Sequence, residues 1–388
     1  MISHARRPTV LVAMSGGVDS SVAAALLCER GYDVIGATLK LWCYEERDPS
    51  PRACCSLEAI ADARSIALRL GFPHYVLDYS APFQSRVIEP FVRGVLEGTT
   101  PYPCAACNAD LKFGRLVEQA RAVGAAFVAT GHYVRAGEVE RGSGLEPALF
   151  RAAHAEKDQS FALWQVAREI LPSLLFPLGD LTKDEVRGQA ERLGLARVAT
   201  KQESQDLCFV GAEGYAAFVE RQGGAGAAAF APGPILDREG HRVGEHAGLA
   251  RYTVGQRKGL GRSIGRASGG RPLYVTALEP EANALRVGTA DQLLAREMVT
   301  GSLHWQSADP PRPGESFDVQ IRYRGPTVVA RLWPRAGDDF AAGCRLTLES
   351  PLRAVTPGQS AVFYQAERLL GGATIERPEG QGTHARGR

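Results

Sequence analysis

The first half of the chain alternates short apolar runs with amphipathic stretches of helical length. This alternation predicts a parallel sheet whose two faces are covered by helices. The apolar runs predict strands at Thr9–Ala13, Asp33–Leu39, His74–Asp78 and Phe127–Thr130, and the amphipathic stretches predict helices at Ser20–Arg30, Leu57–Leu70, Pro82–Leu96, Leu111–Val123, Gln159–Val166 and Lys183–Leu193. Because ligands of such sheets bind at the carboxyl ends of the strands, the segments that follow the strands are the first candidates for a site.

The last third of the chain has a different pattern, in which apolar and polar residues alternate. The alternation begins near Val299 and is clearest in Phe317–Tyr323 and Thr327–Leu332. Short strands of this kind, separated by Pro and Gly, predict a small antiparallel barrel or sandwich. The Gly/Ala-rich stretch Gly223–Ala229 predicts a flexible loop or linker, and turn-rich sequence with short strands follows it.

The composition limits the class of protein. At 388 residues the chain exceeds one ordinary core, which predicts two or three domains. Its 45% hydrophobic and 23% charged residues are typical of a soluble globular protein, and no apolar run approaches the roughly 20 residues that a membrane span needs. Eight cysteines without a secretion signal favour the reducing cytoplasm. Since the net charge is only +2, a nucleic acid would have to bind a local basic surface.

The segment that follows the first predicted strand is Ser15-Gly16-Gly17-Val18-Asp19-Ser20. Two glycines before a helix N-terminus let the backbone approach a phosphate and direct amide groups at it. No Gly-Lys-Ser/Thr ending is present and no G-x-G-x-x-G pattern follows, so neither a P-loop nor a dinucleotide fold is predicted. A tight turn that binds nothing is the alternative. Leu39 and Thr130–His132 follow other predicted strands and fall at the same edge of the sheet.

Three cysteines stand in polar surroundings. Cys104 and Cys107 precede a predicted helix, and Cys208 lies in the segment Glu203–Gly211. Proximity to a helix N-terminus lowers the pKa of a thiol, so reactive thiols are expected at Cys104 and Cys107. The C-x-x-C spacing is by itself a weak metal signal.

Six motifs in order carry a resemblance to a known family. They are Ser15–Ser21, the Pro-x-Pro…Cys-Asn-x-x-x-Lys-Phe stretch that ends at Phe113, Ala129–Tyr133, Lys157–Ser160, Asp206–Phe209 and Gly255–Gly261. With them, about residues 8–365 resemble the tRNA-specific 2-thiouridylases, the MnmA/TrmU family of PP-loop ATP pyrophosphatases. The resemblance implies an α/β PP-loop domain at 1–211, a central adaptor domain at 212–290 and a C-terminal antiparallel β-barrel at 291–372. The chain from Pro378 has almost no apolar residues, so a disordered tail is expected at 373–388.

The resemblance also implies the roles of individual residues. ATP, with Mg²⁺, would be held by Ala13, Met14, Ser15, Gly16, Gly17, Val18, Asp19, Ser20, Leu39 and Gly131. Cys107 would be the nucleophile, and Cys208 would receive a persulfide sulfur from a cysteine desulfurase or a sulfur relay protein. The tRNA would be contacted by Tyr102, Pro103 and Cys104 around the target base, and elsewhere by His132, Lys157, Asp158, Gln159, Arg322, Tyr323 and Gln359.

The implied reaction, which replaces the C2 oxygen of the wobble uridine by sulfur, agrees with these residue types. The C2 carbonyl oxygen of uracil is a poor leaving group until it is adenylated. A persulfide sulfur can then attack C2 as AMP departs. The second thiol can reduce the persulfide by forming a Cys107–Cys208 disulfide.

The chain departs from the common family pattern at Tyr102 and Cys104, where an Asn and an Asp are usual. Cys104, Cys107 and Cys208 together offer three thiolates, which could ligate three irons of a 4Fe–4S cluster and leave the fourth open to sulfide. This cluster route is the alternative to the route through a Cys208 persulfide and a Cys107–Cys208 disulfide.

Other interpretations remain open. An amide or amine ligase with the same loop would not need a cysteine pair, and an RNA-binding module would not need the loop. His132 could be a structural histidine, Asp158 a helix cap in a solvated turn, and Arg322 and Tyr323 a solvent-facing and a core residue.

Overall fold

The structure is a computed structural model that describes residues 7–41, 57–142, 144–195, 207–211, 213–224, 226–260, 271–337 and 339–378. Within these ranges, no helix is long and apolar enough to cross a membrane. The strands are β1 (Thr9–Ala13), β2 (Asp33–Lys40), β3 (His74–Asp78), β4 (Phe127–Ala129), β5 (Arg135–Arg141), β6 (Gly144–Phe150), β7 (Leu174–Leu175), β8 (Gly233–Leu236), β9 (Arg242–His246), β10 (Tyr274–Glu279), β11 (Ala284–Gly288), β12 (Leu294–Thr300), β13 (His304–Trp305), β14 (Glu315–Gln320), β15 (Thr327–Pro334), β16 (Cys344–Arg353), β17 (Ser360–Gln365) and β18 (Arg368–Thr374).

The helices are mostly short. They are α1 (Val18–Glu29), α2 (Leu57–Leu70), α3 (Ser80–Phe83), α4 (Glu89–Leu96), α5 (Pro103–Ala106), α6 (Leu116–Ala122), α7 (Lys183–Arg192) and α8 (Tyr215–Val219). Wider π-helical turns occur at Gln84–Ile88, Cys107–Arg115 and Glu220–Gly224, and 3-10 turns at Ser160–Leu163, Arg168–Ser173, Ala228–Phe230, Leu249–Arg251, Pro280–Ala282 and Ala290–Leu293.

Five of the described strands form the parallel sheet that the sequence predicts. Their order is β3-β2-β1-β4-β7, and each neighbouring pair is parallel. Leu11 of β1 packs into the apolar core on one face, whereas Val10 and Val12 pack into the core on the other. The chain passes from β1 to β2 on one side and later to β4 on the opposite side. The carboxyl end of β1 is therefore the switch point at which such sheets bind ligands.

The helix predicted over Gln159–Val166 is wrong, since only Ser160–Leu163 forms a single 3-10 turn. The carbonyl groups that a longer helix would use accept hydrogen bonds from another part of the chain. The amide of Gln306 donates to the carbonyls of Leu163, Trp164 and Val166 at 2.8, 3.3 and 2.9 Å. A buried side chain from the barrel thus replaces the next helical turn.

The middle of the chain forms a small sheet in the order β10-β11-β8-β9. Its core consists of Ile235, Leu249, Val275 and Leu285, with a few neighbours. The stretch Gly223–Ala229, predicted as a flexible loop, contains the end of a π-helical turn and the start of a 3-10 turn. Gly223 kinks the π-helical turn with a φ of +119°, a conformation that favours glycine.

The predicted antiparallel barrel is confirmed in the last third of the chain. Its strands follow the order β12-β16-β15-β14-β17-β18. The barrel closes where Thr300 bridges to Ile375 and the Gly301 amide donates to the Thr374 carbonyl at 2.9 Å. Ile375 is buried, so the barrel extends past residue 372 into the segment expected to be a disordered tail. Residues 379–388 lie outside the described part of the chain.

Strand β14 ends at Gln320, although the alternating pattern predicts a strand as far as Tyr323. The amides of the Gln320 side chain and of Gly325 both donate to the carbonyl of Arg322, at 2.8 and 2.9 Å. These bonds turn the backbone out of the sheet. Arg322 and Tyr323 therefore lie in a turn at the end of the barrel.

The hairpin of β5 and β6 joins the barrel sheet, although it comes from the first half of the chain. Strand β6 pairs with β18, with Leu149 opposite Leu369. Glu146 on β6 is buried, and its carboxylate lies 2.9 Å from the guanidinium of buried Arg368 and 3.3 Å from that of Arg141. This buried charge cluster links the two parts of the molecule.

We expect Glu146→Ala to lower the free energy of unfolding by about 3–5 kcal/mol, because it leaves the charge of Arg368 buried without its partner. Burial acts to raise the pKa of Glu146, but hydrogen bonds from Arg368 and Ala308 outweigh it and lower the pKa below the ordinary 4.5. The contribution of Glu146 is therefore present above pH 4.5 and is lost as the pH falls below that value.

Urea unfolding of both variants at pH 7 and at acid pH provides the measurement. The control is Glu138→Ala, an exposed position on β5, which should change stability by less than about 0.5 kcal/mol. Equal losses in the two variants would contradict a role for the Glu146 cluster.

Candidate active site

The loop between β1 and α1 is closed by its own hydroxyl groups. The Ser20 hydroxyl accepts a hydrogen bond from the Ser15 amide at 3.1 Å and donates one to the Gly17 carbonyl at 3.2 Å. Gly16 has a φ of +70°, and a Cβ atom there would lie 2.1 Å from the carbonyl oxygen of Ala59. The N-cap residue of α1, Gly17, has no side chain that could cap the first turn of the helix. The geometry thus leaves the positive end of α1 directed at the loop, as an anion site requires.

The end of β2 lies beside this loop. The hydroxyl of Thr38 donates to the carbonyl of Met14 at 2.7 Å, and the Met14 amide donates to the Ala37 carbonyl at 2.8 Å. Met14 and Leu39 are both buried. Hydrogen bonds from β2 therefore fix the residue that leads into the loop.

The end of β4 meets the loop through Gly131. A Cβ atom on Gly131 would lie 2.7 Å from the carbonyl carbon of Asp19 and 2.7 Å from the amide nitrogen of Ser20. The two backbones therefore approach as closely as only glycine permits. Gly131 thus adjoins Asp19 and Ser20, whereas the end of β2 contacts Met14, the residue before the loop.

Asp19 is the acidic residue of the loop. One carboxylate oxygen, Oδ1, accepts a hydrogen bond from the Tyr133 hydroxyl at 2.7 Å and one from the Lys183 ammonium at 2.6 Å. Lys183 is the first residue of α7 and is buried. Side chains from three separate segments thus meet at the second residue of α1.

The cysteine segment begins with Tyr102, Pro103 and Cys104, and passes through α5 into the π-helical turn Cys107–Arg115. Cys107 is buried and Cys104 is half-buried. Burial raises the pKa of Cys104 to about 11; the positive charge of Lys112 opposes this shift and Cys107 adds to it. The expectation of a lowered pKa is therefore wrong for Cys104, because α5 has only four residues and burial outweighs its N-terminus.

Cys208 packs against the same apolar core that contains Cys107. Its neighbour Phe209 is buried and makes ring contacts with Phe91 and Phe218, at centroid distances of 5.3 and 5.2 Å. These contacts anchor the segment that carries Cys208. Asp206, and the cysteines at 43, 54 and 55, lie outside the described residues.

Aromatic rings line the region around Tyr102. The ring of Tyr102 lies 5.3 Å from that of Phe161, which lies 6.4 Å from the partly exposed ring of Tyr323. Burial raises the pKa of Tyr102 well above 10, and Cys104, Tyr323 and Tyr364 add to the shift. Tyr102 is therefore neutral. Phe161 is buried, so the rings on which a base can stack are those of half-buried Tyr102 and partly exposed Tyr323.

The barrel supports this segment through Gln359 and Gly358. The Gln359 amide donates to the Thr100 carbonyl at 2.7 Å, and a Cβ on Gly358 would lie 2.9 Å from the Thr100 backbone. Arg322 donates to the Ala354 carbonyl at 2.6 Å. Burial lowers the pKa of Arg322, and the charge of Arg353 lowers it further. Two neighbouring guanidinium groups give this end of the barrel a local positive charge.

The turn Lys157–Gln159 is tied into the protein. The buried carboxylate of Asp158 accepts hydrogen bonds from the Ala152 amide at 2.9 Å and from the Ser160 hydroxyl at 2.8 Å. The side-chain oxygen of Gln159 accepts from the Tyr133 amide at 2.9 Å. Lys157 is half-buried. Gln159 therefore ties this turn to Tyr133, which contacts Asp19, while Asp158 holds the turn to Ala152 and Ser160.

His132 joins the loop to the cysteine segment. Its neighbour Gly131 packs on the loop, whereas the His132 ring lies 5.7 Å from the ring of Phe113 in the π-helical turn. Its Nδ1 atom lies 2.8 Å from the Thr130 hydroxyl. Burial lowers the pKa of His132 to about 3, and the charge of Lys112 contributes. His132 is therefore neutral at pH 7 and bridges two centres that are distant in sequence.

Three family models match the chain. A model described as tRNA methyl transferase HUP domain matches residues 8–212, one described as tRNA methyl transferase PRC-barrel domain matches 225–289, and one described as aminomethyltransferase beta-barrel domain matches 295–375. The tRNA-specific 2-thiouridylase MnmA of Moorella thermoacetica is 46% identical over 373 residues, 94% of this chain and 99% of the relative. That of Thermus thermophilus is 45% identical over 377 residues, 95% of each chain.

The chain belongs to the MnmA family of tRNA-specific 2-thiouridylases. The resemblance inferred from the six motifs is therefore confirmed. Among solved structures, NMN synthetase from Francisella tularensis aligns with a TM-score of 0.33 and 18% identity, over 52% of this chain and 68% of that one. Membership of this PP-loop family implies the use of ATP.

The motifs did not single out Tyr133, Lys183 or Lys112 as site residues, yet all three adjoin the site. Tyr133 ends the motif Ala129–Tyr133, and Lys112 lies in the stretch that ends at Phe113. Both could therefore have been recognised from the motifs that contain them. Lys183 is 164 residues from Asp19 and lies in none of the six motifs. Its role is visible only in the folded chain.

The residues present fit the groups that the family implies. Asp19 offers one carboxylate beside an anion site, a donor set that suits Mg²⁺ held mainly by phosphate oxygens. Cys104 and Cys107 lie close enough for their charges to interact, and Cys208 packs on the apolar core that contains Cys107. Because the pKa of Cys104 is about 11, binding iron would have to release its proton.

We expect Gly131→Ala to weaken ATP binding at least about tenfold, or about 1.4 kcal/mol. The added methyl group must displace the backbone of Asp19 and Ser20, which lies 2.7 Å from its position. Titration calorimetry with ATP provides the measurement. The control is Gly188→Ala in α7, where a Cβ meets nothing within 4 Å, and its ATP affinity should be unchanged. Equal affinity in the two variants would contradict this account of the loop.

Proposed function

We propose that this protein uses ATP to replace the C2 oxygen of the wobble uridine of tRNA by sulfur, which gives 2-thiouridine. The observation that carries the proposal is the pair Gly131 and His132. Gly131 packs on the phosphate-type loop and His132 packs on the cysteine segment, so an ATP on one and a base on the other would be neighbours. The names of the relatives support tRNA as the substrate.

The first step is adenylation of the base. ATP lies on the loop, held by Ala13–Ser20, Leu39 and Gly131, and the uracil O2 attacks its α-phosphorus. The bond from that phosphorus to the β-phosphate breaks, pyrophosphate leaves with the bonding pair, and the N3 proton is released. Mg²⁺, when bound near Asp19, supplies charge neutralisation at the phosphates. The first-turn amides of α1 would hold phosphate oxygens.

The second step transfers sulfur. Cys208 carries a persulfide, whose terminal sulfur bonds to C2 while AMP leaves with the former O2. The thiolate of Cys107 then attacks the Cys208 sulfur, and the bond to the transferred sulfur breaks with its electron pair on the 2-thiouridine. A Cys107–Cys208 disulfide remains, and a thiol reductant must supply two electrons before the next turnover. The sulfur comes from a persulfide donor, a cysteine desulfurase or a sulfur relay protein.

The tRNA is held by local positive charge and by stacking. Tyr102, Pro103 and Cys104 surround the target base, and the ring of Tyr323 extends the stacking surface. Lys157, Arg322 and neutral His132 contact the RNA, whereas Asp158, Gln159 and Gln359 act chiefly through the segments that their hydrogen bonds hold. A net charge of only +2 agrees with recognition through such a local surface.

We also propose the division into a PP-loop domain at 1–211, an adaptor domain at 212–290 and a barrel domain at 291–372. The hairpin β5–β6 would then be a bridge from the first domain to the third. The cytoplasm remains our proposed location, which the eight cysteines support.

A second route for the same reaction is supported by Cys104. Its thiol is coupled to Cys107, and Cys208 packs on the same core, so the three would ligate a 4Fe–4S cluster with one open iron. Such a cluster would supply a site for inorganic sulfide. The ligase alternative leaves this cysteine arrangement unexplained, and an RNA-binding module leaves the loop unexplained.

We expect Cys107→Ser and Cys208→Ser each to abolish thiolation while both still release pyrophosphate in the presence of tRNA, because adenylation precedes sulfur transfer. With a ³⁵S-labelled persulfide donor, Cys107→Ser should retain label on Cys208, and Cys208→Ser should carry none. The control is Cys28→Ser, a half-buried thiol on α1 outside the site. Label found only on Cys107 would reverse the two roles.

Cys104→Ser separates the two routes. A disulfide needs only Cys107 and Cys208, so iron-free Cys104→Ser protein should retain most of its thiolation with a persulfide donor. A cluster needs the third ligand, so loss of activity together with loss of iron absorbance in the anaerobically purified variant would favour the cluster route instead.

A further inference from the structure

Arg151 directly follows strand β6, and its backbone already joins the hairpin β5–β6 to the barrel. The Arg151 amide donates to the Glu367 carbonyl at 2.8 Å, and the Arg151 carbonyl accepts from the Arg135 guanidinium at 2.8 Å. The guanidinium of Arg151 takes no part in these bonds. It lies over the ring of buried Tyr364, 3.6 Å from the ring centre. The role of the side chain therefore lies in the groups that this guanidinium connects.

One side of the guanidinium holds the base of a turn in the barrel. Its Nη1 donates to Oε1 of Gln320 at 2.9 Å, and its Nη2 donates to the Thr327 hydroxyl at 3.3 Å. Gln320 ends β14 and Thr327 begins β15, and the two stand opposite each other in the sheet. They close the turn 321–326, which carries Arg322 and Tyr323. Because the Gln320 amide also donates to the Arg322 carbonyl at 2.8 Å, the hold on Gln320 extends into the turn.

The same guanidinium reaches the residues beside the nucleotide loop. Nη1 also donates to Oδ2 of buried Asp158 at 3.3 Å. The next residue, Gln159, accepts from the Tyr133 amide at 2.9 Å and donates its own amide to the Tyr133 carbonyl at 3.0 Å. The Tyr133 hydroxyl donates to Oδ1 of Asp19 at 2.7 Å. A continuous line of hydrogen bonds and covalent bonds therefore runs from the turn 321–326 to Asp19.

We propose that Arg151 is a positioning residue that couples the binding of tRNA at the turn 321–326 to the binding of ATP at the loop Ser15–Ser20. This inference rests on the proposed function, in which Arg322 and Tyr323 contact the tRNA. RNA held at the turn also fixes the guanidinium that the turn binds, so less conformational freedom is left to lose when ATP orders the loop. The tRNA then tightens ATP binding, and ATP tightens tRNA binding by the same factor.

A purely structural ion pair between Arg151 and Asp158 is the competing explanation. Loss of a structural pair leaves a buried carboxylate without its cation, which lowers the stability of the protein. A less stable protein binds ATP less tightly whether or not tRNA is present, so the ratio of the two affinities stays the same. Loss of a coupling residue changes that ratio. The two explanations are therefore distinguished by the affinity for the nucleotide with and without tRNA.

The test uses the full chain and α,β-methylene ATP, an analogue that cannot release pyrophosphate. Its affinity is measured by titration calorimetry with and without saturating tRNA. For the unsubstituted protein we expect tRNA to tighten binding of the analogue by about tenfold. Arg151→Met keeps an apolar stem on the Tyr364 ring but removes the donors. The tightening should then fall below about twofold, while the affinity without tRNA changes by less than about threefold.

The matched control is Arg135→Met. Arg135 begins β5 and joins the same hairpin to the barrel, through the Arg151 carbonyl and the Glu367 carboxylate. Its loss weakens that attachment and leaves the bonds of the Arg151 guanidinium in place. We therefore expect the tightening by tRNA to be as large in Arg135→Met as in the unsubstituted protein. A loss as large as that in Arg151→Met would contradict a specific role for Arg151.

Gln320→Glu carries the test if Arg151→Met does not fold. Glutamate keeps an oxygen for the guanidinium but cannot donate to the Arg322 carbonyl, so the tightening should fall below about threefold. Full tightening in either variant would overturn the coupling and leave a structural ion pair. An unsubstituted protein that forms 2-thiouridine but binds the analogue equally with and without tRNA would overturn the inference alone. Failure to form 2-thiouridine from ATP and a persulfide donor would overturn the proposed function and the inference with it.

Discussion

The close contact between Gly131 and the backbone of Asp19 and Ser20 is the constraint on which the site depends. A methyl group at Gly131 would lie 2.7 Å from two atoms of the loop, so this position accepts no side chain without movement. The contact fixes the loop against the end of β4, and the next residue, His132, reaches the ring of Phe113. The dipeptide Gly131-His132 therefore sets the distance between the loop Ser15–Ser20, our proposed nucleotide site, and the cysteine segment.

The barrel completes the site from the opposite side. The Thr100 amide donates to the Pro357 carbonyl at 2.8 Å, and the indole of Trp164 donates to the Ser360 hydroxyl at 2.9 Å. The first contact holds the segment before Tyr102 against the end of the barrel, and the second holds the turn Ser160–Leu163 there. Since Tyr323 belongs to the barrel, the aromatic contacts that we propose to receive the base come from both parts. A base site shared in this way would respond to how tRNA engages the barrel.

The parallel sheet and the loop were predictable because their signals are local. Strand β1 is a run of apolar residues buried on both faces. The two glycines that follow it, Gly16 and Gly17, predict the tight turn by themselves. The contact of Asp19 with Lys183 was not predictable, since 164 residues separate the two and a lysine at a helix start has no local meaning. The hairpin β5–β6 was missed for a related reason, because its partner β18 lies in the last part of the chain.

The chemical state of the cysteine segment also depends on tertiary structure. The sequence places Cys104 before a helix, which predicts a lowered pKa, but packing raises the pKa to about 11. Because α5 is short and the surrounding core is apolar, burial decides that the pKa of Cys104 rises. The sequence thus shows that Cys104 stands before a helix, but the direction of its pKa shift depends on the folded structure.

The most direct test of the central claim follows the oxygen that is replaced. A tRNA with ¹⁸O at O2 of the wobble uridine is incubated with the protein, ATP and a persulfide donor, and AMP and the digested nucleosides are analysed by mass spectrometry. Adenylation at O2 predicts one ¹⁸O atom in AMP for each 2-thiouridine formed, because the C2–O bond breaks as AMP leaves. AMP without ¹⁸O, or the absence of 2-thiouridine, would contradict the account.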